Sequence, residues 1–379
     1  MTYLDIHILQ TVPPSNLNRD DTGSPKSAVF GGVRRARVSS QSWKRAARAH
    51  FNATLDTTNI GYRTKRVVDL VANAITGHGT DDKTAAELAT AVVKAAGITT
   101  KAPRKPKKDT KTEGDGNVVT EQSDYLIFVS AGQIAKLAEL AVAAHGNGQP
   151  VAKSDAKKAF KADQSFDVAL FGRMVADDAE LNIDAAAQVA HAISVHAVDN
   201  EFDYFTAVDD LQAADNQTGA GMIGTVEFNS STLYRYATLN VAQLQQNLGD
   251  TAATGRAAAA FVDAFVRSMP TGKQNTFANR TLPEAVLVVA RDDQPVNLVG
   301  AFEDPIVRKN GESTIGQTAQ ALGSWNDELA AAYGSPSATW LVGTMKATEP
   351  LAEVGDLVNL EQLVREVETL AARTAGHVE

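Results

Sequence analysis

Between Asn18 and Arg48 the chain reads NRDDTGSPKSAVFGGVRRARVSSQSWKRAAR, a stretch that concentrates residues able to handle an anion. Lysines and arginines supply charged donors for phosphate, Gly31 and Gly32 let backbone approach a ligand closely, and Ser39 or Ser40 can cap a helix. At 100° per residue Gln41, Lys44, Arg45 and Arg48 fall within one arc of roughly 100°, and Trp43, Ala46, Ala47 and His50 lie opposite. One face of the expected helix is therefore cationic and the other packs. Residues 1 to 50 hold eight basic side chains against three acidic ones, a balance of +5 in a chain of formal net charge −9, which leaves −14 for the rest. A basic block in an acidic protein reads as a focused anion site.

Other chemistries leave fainter marks. The chain has no G-x-S-x-G, no Walker P-loop, no H-E-x-x-H and no dinucleotide fingerprint after the first expected strand, so no cofactor is expected. His191 and His196 are five apart at an expected helix end and do not share a face, as metal ligands should; structural roles are expected for both, and no metal. Asp20 and Asp21, beside Arg19, are either ion-pair partners or, in an enzymatic reading, a general base or metal ligands. The chain has no cysteine, which excludes disulfides and thiolate metal sites. With 44% hydrophobic and 21% charged residues among 379 it reads as globular, and with no basic leader and no membrane-length apolar run it is expected to be soluble and cytoplasmic.

The elements that must position the basic block follow from periodicity. Tyr3 to Val12 alternates as a first strand that Pro13 and Pro14 should end, and Val33 to Val38 is a short extended run before the cationic helix. Ala-rich helices are expected at Thr64 to Thr76, Asp81 to Ala96, Ala131 to His145 and Ala152 to Ala162, with a Lys-rich loop without core residues at 101 to 117. Phe166 to Phe171 reads as extended, Ile183 to Val195 as a helix, and Val296 to Ala301 as a strand. Val198 to Phe205 and Val226 to Asn240 flank a Gly-rich tip and make a projecting hairpin. Phe171, Met174, Phe205, Met222 and Ile223 are candidate apolar wedges for a nucleic acid. Strands at both ends around a helical insert give an α+β fold class.

The strings LNRDD, AVFGGVRRARVSSQSWKRA, ALFGRM, NIDAAAQVAHAISVH, DYFTAVDDLQ and VEFNSSTLYRYATLNVAQL, in this order, resemble those of the CasC family, the backbone subunits of the type I-E CRISPR surveillance complex Cascade. The resemblance spans most of residues 1 to 250. It implies a modified RNA-recognition-motif (ferredoxin-like) palm at 1–58, 181–197 and 229–379, a helical fingers insertion at 59–180 and a β-hairpin thumb at 198–228. It further implies that copies of the chain polymerise as a helical filament along a CRISPR guide RNA together with other Cascade subunits. Each thumb would fold over RNA held by the neighbouring copy, one nucleotide per repeat would be kinked out, and the guide would pair with target DNA. By the same resemblance Arg19, Lys26, Ser39, Gln41, Lys44, Arg45 and Arg48 match positions that hold guide phosphates. Met174 matches a residue packed at the kink, and Phe205, Thr206 and Val208 match the thumb base. No catalytic activity is implied. The alternative is an RNA endonuclease-type backbone subunit that cleaves target RNA with Asp20 or Asp21; a free RNA-binding module that never polymerises is a third reading.

Overall fold

The computed structural model describes residues 2–103, 120–175, 178–208, 220–309 and 311–377. Most of the expected Lys-rich loop and the first part of the hairpin tip lie outside the described residues. The chain forms two compact units, one from Met1–His50, Ala187–Ala242 and Ala258–Glu379, the other from Phe51–Ala186 and Gln243–Ala257.

The first unit is built on a mostly antiparallel sheet. Its strands run in the order Asp356–Leu357, Ala338–Gly343, Ala285–Arg291, Tyr3–Ser15, Ala220–Asn240, Ala192–Ser194, Val33–Val38 and Ser27–Phe30, and only the first pair is parallel. Two further strands, Ala187–Val189 and Glu201–Val208, pair with the long strand Ala220–Asn240. The first strand is central, with Leu4, Ile6 and Ile8 buried on one face and Asp5, His7 and Leu9 buried on the other. Both faces are therefore covered. On one, the helix Ser40–Thr54 sets Trp43 against Phe265 of the helix Thr251–Arg267 with ring centroids 6.4 Å apart. Arg235 lies against both rings, its guanidinium carbon 3.7 Å from the Trp43 centroid and 4.6 Å from that of Phe265. It donates to Gln10 Oε1 at 2.6 Å and to the Phe265 carbonyl, and burial lowers its pKa to about 9. Cation–π contact and these bonds offset the cost of burying the charge.

On the opposite face Leu9, Tyr234, Leu287, Phe302 and Leu322 form an apolar core under the helix Thr314–Tyr333. A polar network threads it. The Tyr236 hydroxyl donates to Asp5 Oδ1 at 2.9 Å, the Val296 N–H donates to Asp5 Oδ2 at 2.8 Å, and His7 Nδ1 lies 2.9 Å from the Tyr234 hydroxyl.

The second unit is largely helical. Val67–Thr76, Asp82–Ala95, Ala131–Gly146 and Lys153–Lys161 enclose Val71, Ile75, Val92, Leu137 and Phe160. Alanines at the contacts let the helices approach closely, and Ser130 and Gln133 form a capping box at the start of the third helix. Gly61–Thr64 and Ile127–Ser130 pair as a short ribbon beside them.

Several sequence expectations need correction. The first strand continues through Pro13 and Pro14 to Ser15, because a register shift between Val12 and Ser15 takes the prolines out of the regular ladder. Phe166–Phe171 is a helix, not an extended run; a short apolar segment has no period of its own, and here the Asp167 carboxylate accepts the N–H groups of Gly61 and Val168. Ile183 to Val195 is not a helix. Its small residues Ala187, Ala192 and Ser194 are buried in two short strands against Ala220–Asn240, a pairing that overrides alanine's helical preference. Val296 to Ala301 gives way to a 3-10 turn at Leu298–Phe302, capped by the Asn297 side chain accepting the Val299 N–H at 3.0 Å.

Candidate nucleic-acid interface

The cationic helix forms as its pattern predicts. Trp43, Ala47 and Phe51 are buried, Gln41 and Arg45 are exposed, and Lys44 and Arg48 are half-buried. Partial burial lowers the Lys44 pKa. No acidic residue occupies the first turn, so the positive end of the helix dipole is not offset from within the helix. Ser39 is buried at the helix start, where its carbonyl accepts the N–H groups of Ser42 and Trp43 at 3.0 and 3.3 Å.

Asn18 joins this helix to the loop before it. Its side-chain oxygen accepts the Ser39 N–H at 2.9 Å, and its carbonyl accepts the Lys26 N–H at 2.9 Å. Arg19, exposed, forms an isolated bridge with Pro25. The loop thus presents Arg19 and Lys26 from a backbone pinned at both ends. Asp20 helps to shape it: Oδ1 accepts the Thr22 N–H at 3.0 Å, the Thr22 hydroxyl at 2.7 Å and the Ser24 N–H at 3.0 Å. These bonds, the Thr22 hydroxyl first, lower the carboxyl's pKa. Asp21 is exposed.

Glu227 ties the same loop to the base of the hairpin. Its carboxylate accepts the Ser24 hydroxyl at 2.9 Å and the Asn200 amide at 3.0 Å, and its carbonyl accepts the Asn16 amide at 2.9 Å. Glu201–Val208 leaves from there, Phe202 opposite Glu227 and Phe205 opposite Gly224. Phe205 is 38% exposed and lies over Gly224, where a β-carbon would overlap the ring. A glycine in mid-strand is here the seat of an aromatic side chain. Thr206 is exposed, Val208 pairs with Ala220, and the next strand sets exposed Ile223 opposite Thr206. Phe202 and Tyr204 also stand exposed on this strand, and the expectations from the sequence do not include them.

Met174 belongs to the second unit and is 79% exposed. Its neighbours explain that projection. Arg173 is buried, with Nε donating to the Leu181 carbonyl at 3.1 Å and its guanidinium 4.3 Å from the Phe160 ring centroid; burial lowers its pKa to about 10. Gly172 adopts φ +78° where a β-carbon would meet the Ile183 carbonyl at 2.9 Å. Phe171 stacks on Phe51 at 6.2 Å, so it is a packing residue rather than a wedge.

The arginine run divides. Arg34 is exposed, whereas Arg35 is 0% exposed and donates to the carbonyls of Phe30, Ser194, Phe302 and Glu303. The expectation that the arginines of this stretch supply donors for phosphate is corrected for Arg35, whose donors go to the carbonyls of neighbouring segments. His196 is structural: Nδ1 lies 2.9 Å from the Ala197 carbonyl, and Nε2 accepts the Thr232 N–H at 3.1 Å. No helix among the described residues is long and apolar enough to cross a membrane.

Comparison with known proteins gives three findings. The family model described as CT1975-like protein matches residues 4–366. A solved chain titled "CRISPR RNA-guided surveillance complex, pre-nicking" is 31% identical with TM-score 0.77, the match covering 96% of this chain and 100% of that one. Another, titled "CRISPR RNA-guided surveillance complex", is 27% identical with TM-score 0.68, covering 96% and 99%. No curated protein sequence matches.

Proposed function

The chain belongs to the CT1975-like protein family, and on that premise we propose that it serves CRISPR RNA-guided surveillance as a CasC-like, non-catalytic backbone subunit of a type I-E Cascade. In this reading several copies coat the guide RNA, grip its phosphates without regard to sequence and leave its bases able to pair with target DNA. The observation that carries it is the cationic helix face, joined through Asn18 to the loop of Arg19 and Lys26. Such a surface can follow a sugar-phosphate backbone.

The strand order supports a modified ferredoxin-like palm. Tyr3–Ser15 lies between Ala285–Arg291 and Ala220–Asn240, with Ala192–Ser194 beyond, and the helices Ser40–Thr54 and Thr251–Arg267 share one face. RNA-recognition motifs stack bases on aromatic residues of the open sheet face. Here that face carries His7, Tyr234 and Tyr236, all buried. RNA is thereby directed to the helix, the loop and the hairpin. Phe205 and Thr206 fit a role beside a displaced nucleotide because both are exposed on the hairpin, and Met174 fits one at a kink because it is exposed beside the anchored Arg173.

Lys44→Ala combined with Arg48→Ala tests the reading. The double variant is expected to lose guide RNA uniformly across guide sequences. If each copy neutralises about four phosphates, the wild-type log K falls against log salt with a slope near about −3 per copy, and the variant's slope is shallower by about 1.4. Retention of a full-length guide by the double variant at physiological salt overturns the assignment of the helix face.

A further inference from the structure

One arginine of the strand Val33–Val38, which lies between Ala192–Ser194 and the edge strand Ser27–Phe30, is neither buried nor free to swing. Arg37 Nε donates to the Ser27 carbonyl at 3.1 Å, and Nη1 donates to His191 Nδ1 at 2.9 Å. A guanidinium can only donate, so Nδ1 must be the bare nitrogen of His191, and the ring proton sits on Nε2. Burial, then the nearby charges of Arg37 and Lys26, hold the His191 pKa below its ordinary value, which keeps the ring neutral in this role. The Arg37 N–H donates to the Lys26 carbonyl at 2.9 Å, which brings the lysine alongside.

A pinned guanidinium, an ammonium and an imidazole N–H therefore gather beside the strand Val33–Val38. Among the described residues no carboxylate pairs with Arg37 or Lys26. Gathering cations without a counter-charge is unfavourable, and an incoming phosphate reverses the sign of that interaction. Because Arg37 is already ordered, little side-chain freedom is lost when the phosphate arrives. We propose that Arg37 is a further phosphate contact for the guide backbone, and that His191 is the positioning residue that holds its guanidinium for it. The inference rests on the guide-RNA reading above and extends that grip from the loop to the strand Val33–Val38.

The test is binding of fluorescein-labelled polyuridine to the full chain across a series of salt concentrations. Arg37→Ala and Arg37→Gln are each expected to bind about tenfold more weakly, the loss of one charge-assisted hydrogen bond, with the salt slope reduced by about 0.7 per copy. Arg37→Gln keeps a donor for the Ser27 carbonyl and serves where Arg37→Ala does not fold. His191→Asn, whose Oδ1 can replace Nδ1 as acceptor, is expected to stay within about twofold of wild type. His191→Phe fills the same space without an acceptor and is expected to weaken binding about threefold with the slope unchanged. An unchanged slope in Arg37→Gln overturns the phosphate contact, and equal binding by His191→Asn and His191→Phe overturns the positioning role. The double variant at Lys44 and Arg48 is the control. If it loses RNA while the Arg37 variants do not, only this inference falls; if all of them bind as wild type does, the guide-RNA reading falls with it.

Discussion

Chemically identical side chains do different work here according to where the backbone carries them. Arg35 and Arg37 lie two residues apart in one strand, yet one is saturated by carbonyls and the other is held at the surface by Ser27 and His191. His7 shows the same dependence on place. Burial holds its pKa down to about 3 against an ordinary value near 6.5, with the Arg291 charge a lesser cause. Below pH 6.5 the unfolded chain takes up a proton that the folded chain refuses, so stability falls as the pH drops from about 6.5 toward 3. Between pH 6.5 and 5 that decline amounts to about 2 kcal/mol. Burial raises the Asp5 pKa, and this acts in the opposite sense: its contribution is present at low pH and is lost as pH rises through the folded value. Urea midpoints of wild type and His7→Gln at these two pH values isolate the histidine, and the variant is expected to lose most of the decline.

At the scale of elements, the hairpin and the loop beside it act as one construction, because Glu227 bonds to both. Gly224 seats Phe205, and this is testable without touching the aromatic ring itself. Gly224→Val suits a strand but drives a side chain into the ring's place. Guide affinity is expected to fall by about 1 kcal/mol per copy, the low end of a stacked-base contact. Phe205→Ala should cause a similar loss, and the two changes together should be no worse than either alone. Affinity measured across this double-mutant cycle checks it; additive losses would separate Gly224 from Phe205. The cationic helix is legible in the residue pattern alone, since the helical period sets Lys44 and Arg48 on the face opposite Trp43 and Ala47. The two short strands within Ile183 to Val195 are not, because alanine-rich segments carry no strand signal until a partner strand is present.

For the molecule as a whole, the proposed function predicts a particle in place of a monomer on RNA. Native mass spectrometry of chain assembled with guide RNA should give a defined number of copies per guide, and a single copy on RNA of any length would favour a free RNA-binding module. Sequence alone determined the charge asymmetry, the cationic helix, the hairpin and the α+β class, because these depend on residue type and local period. It also carried a family resemblance, and the family model shows membership of the CT1975-like protein family. Tertiary structure alone decided that the sheet's aromatic face is sealed, that Arg35 is buried, that Asp20 turns its carboxylate into its own loop, and that His191 meets Arg37. His191 and Arg37 are 154 residues apart in sequence. Contacts of that range arise from strand pairing across the sheet, and a local pattern of residue types holds no record of which strands will become neighbours.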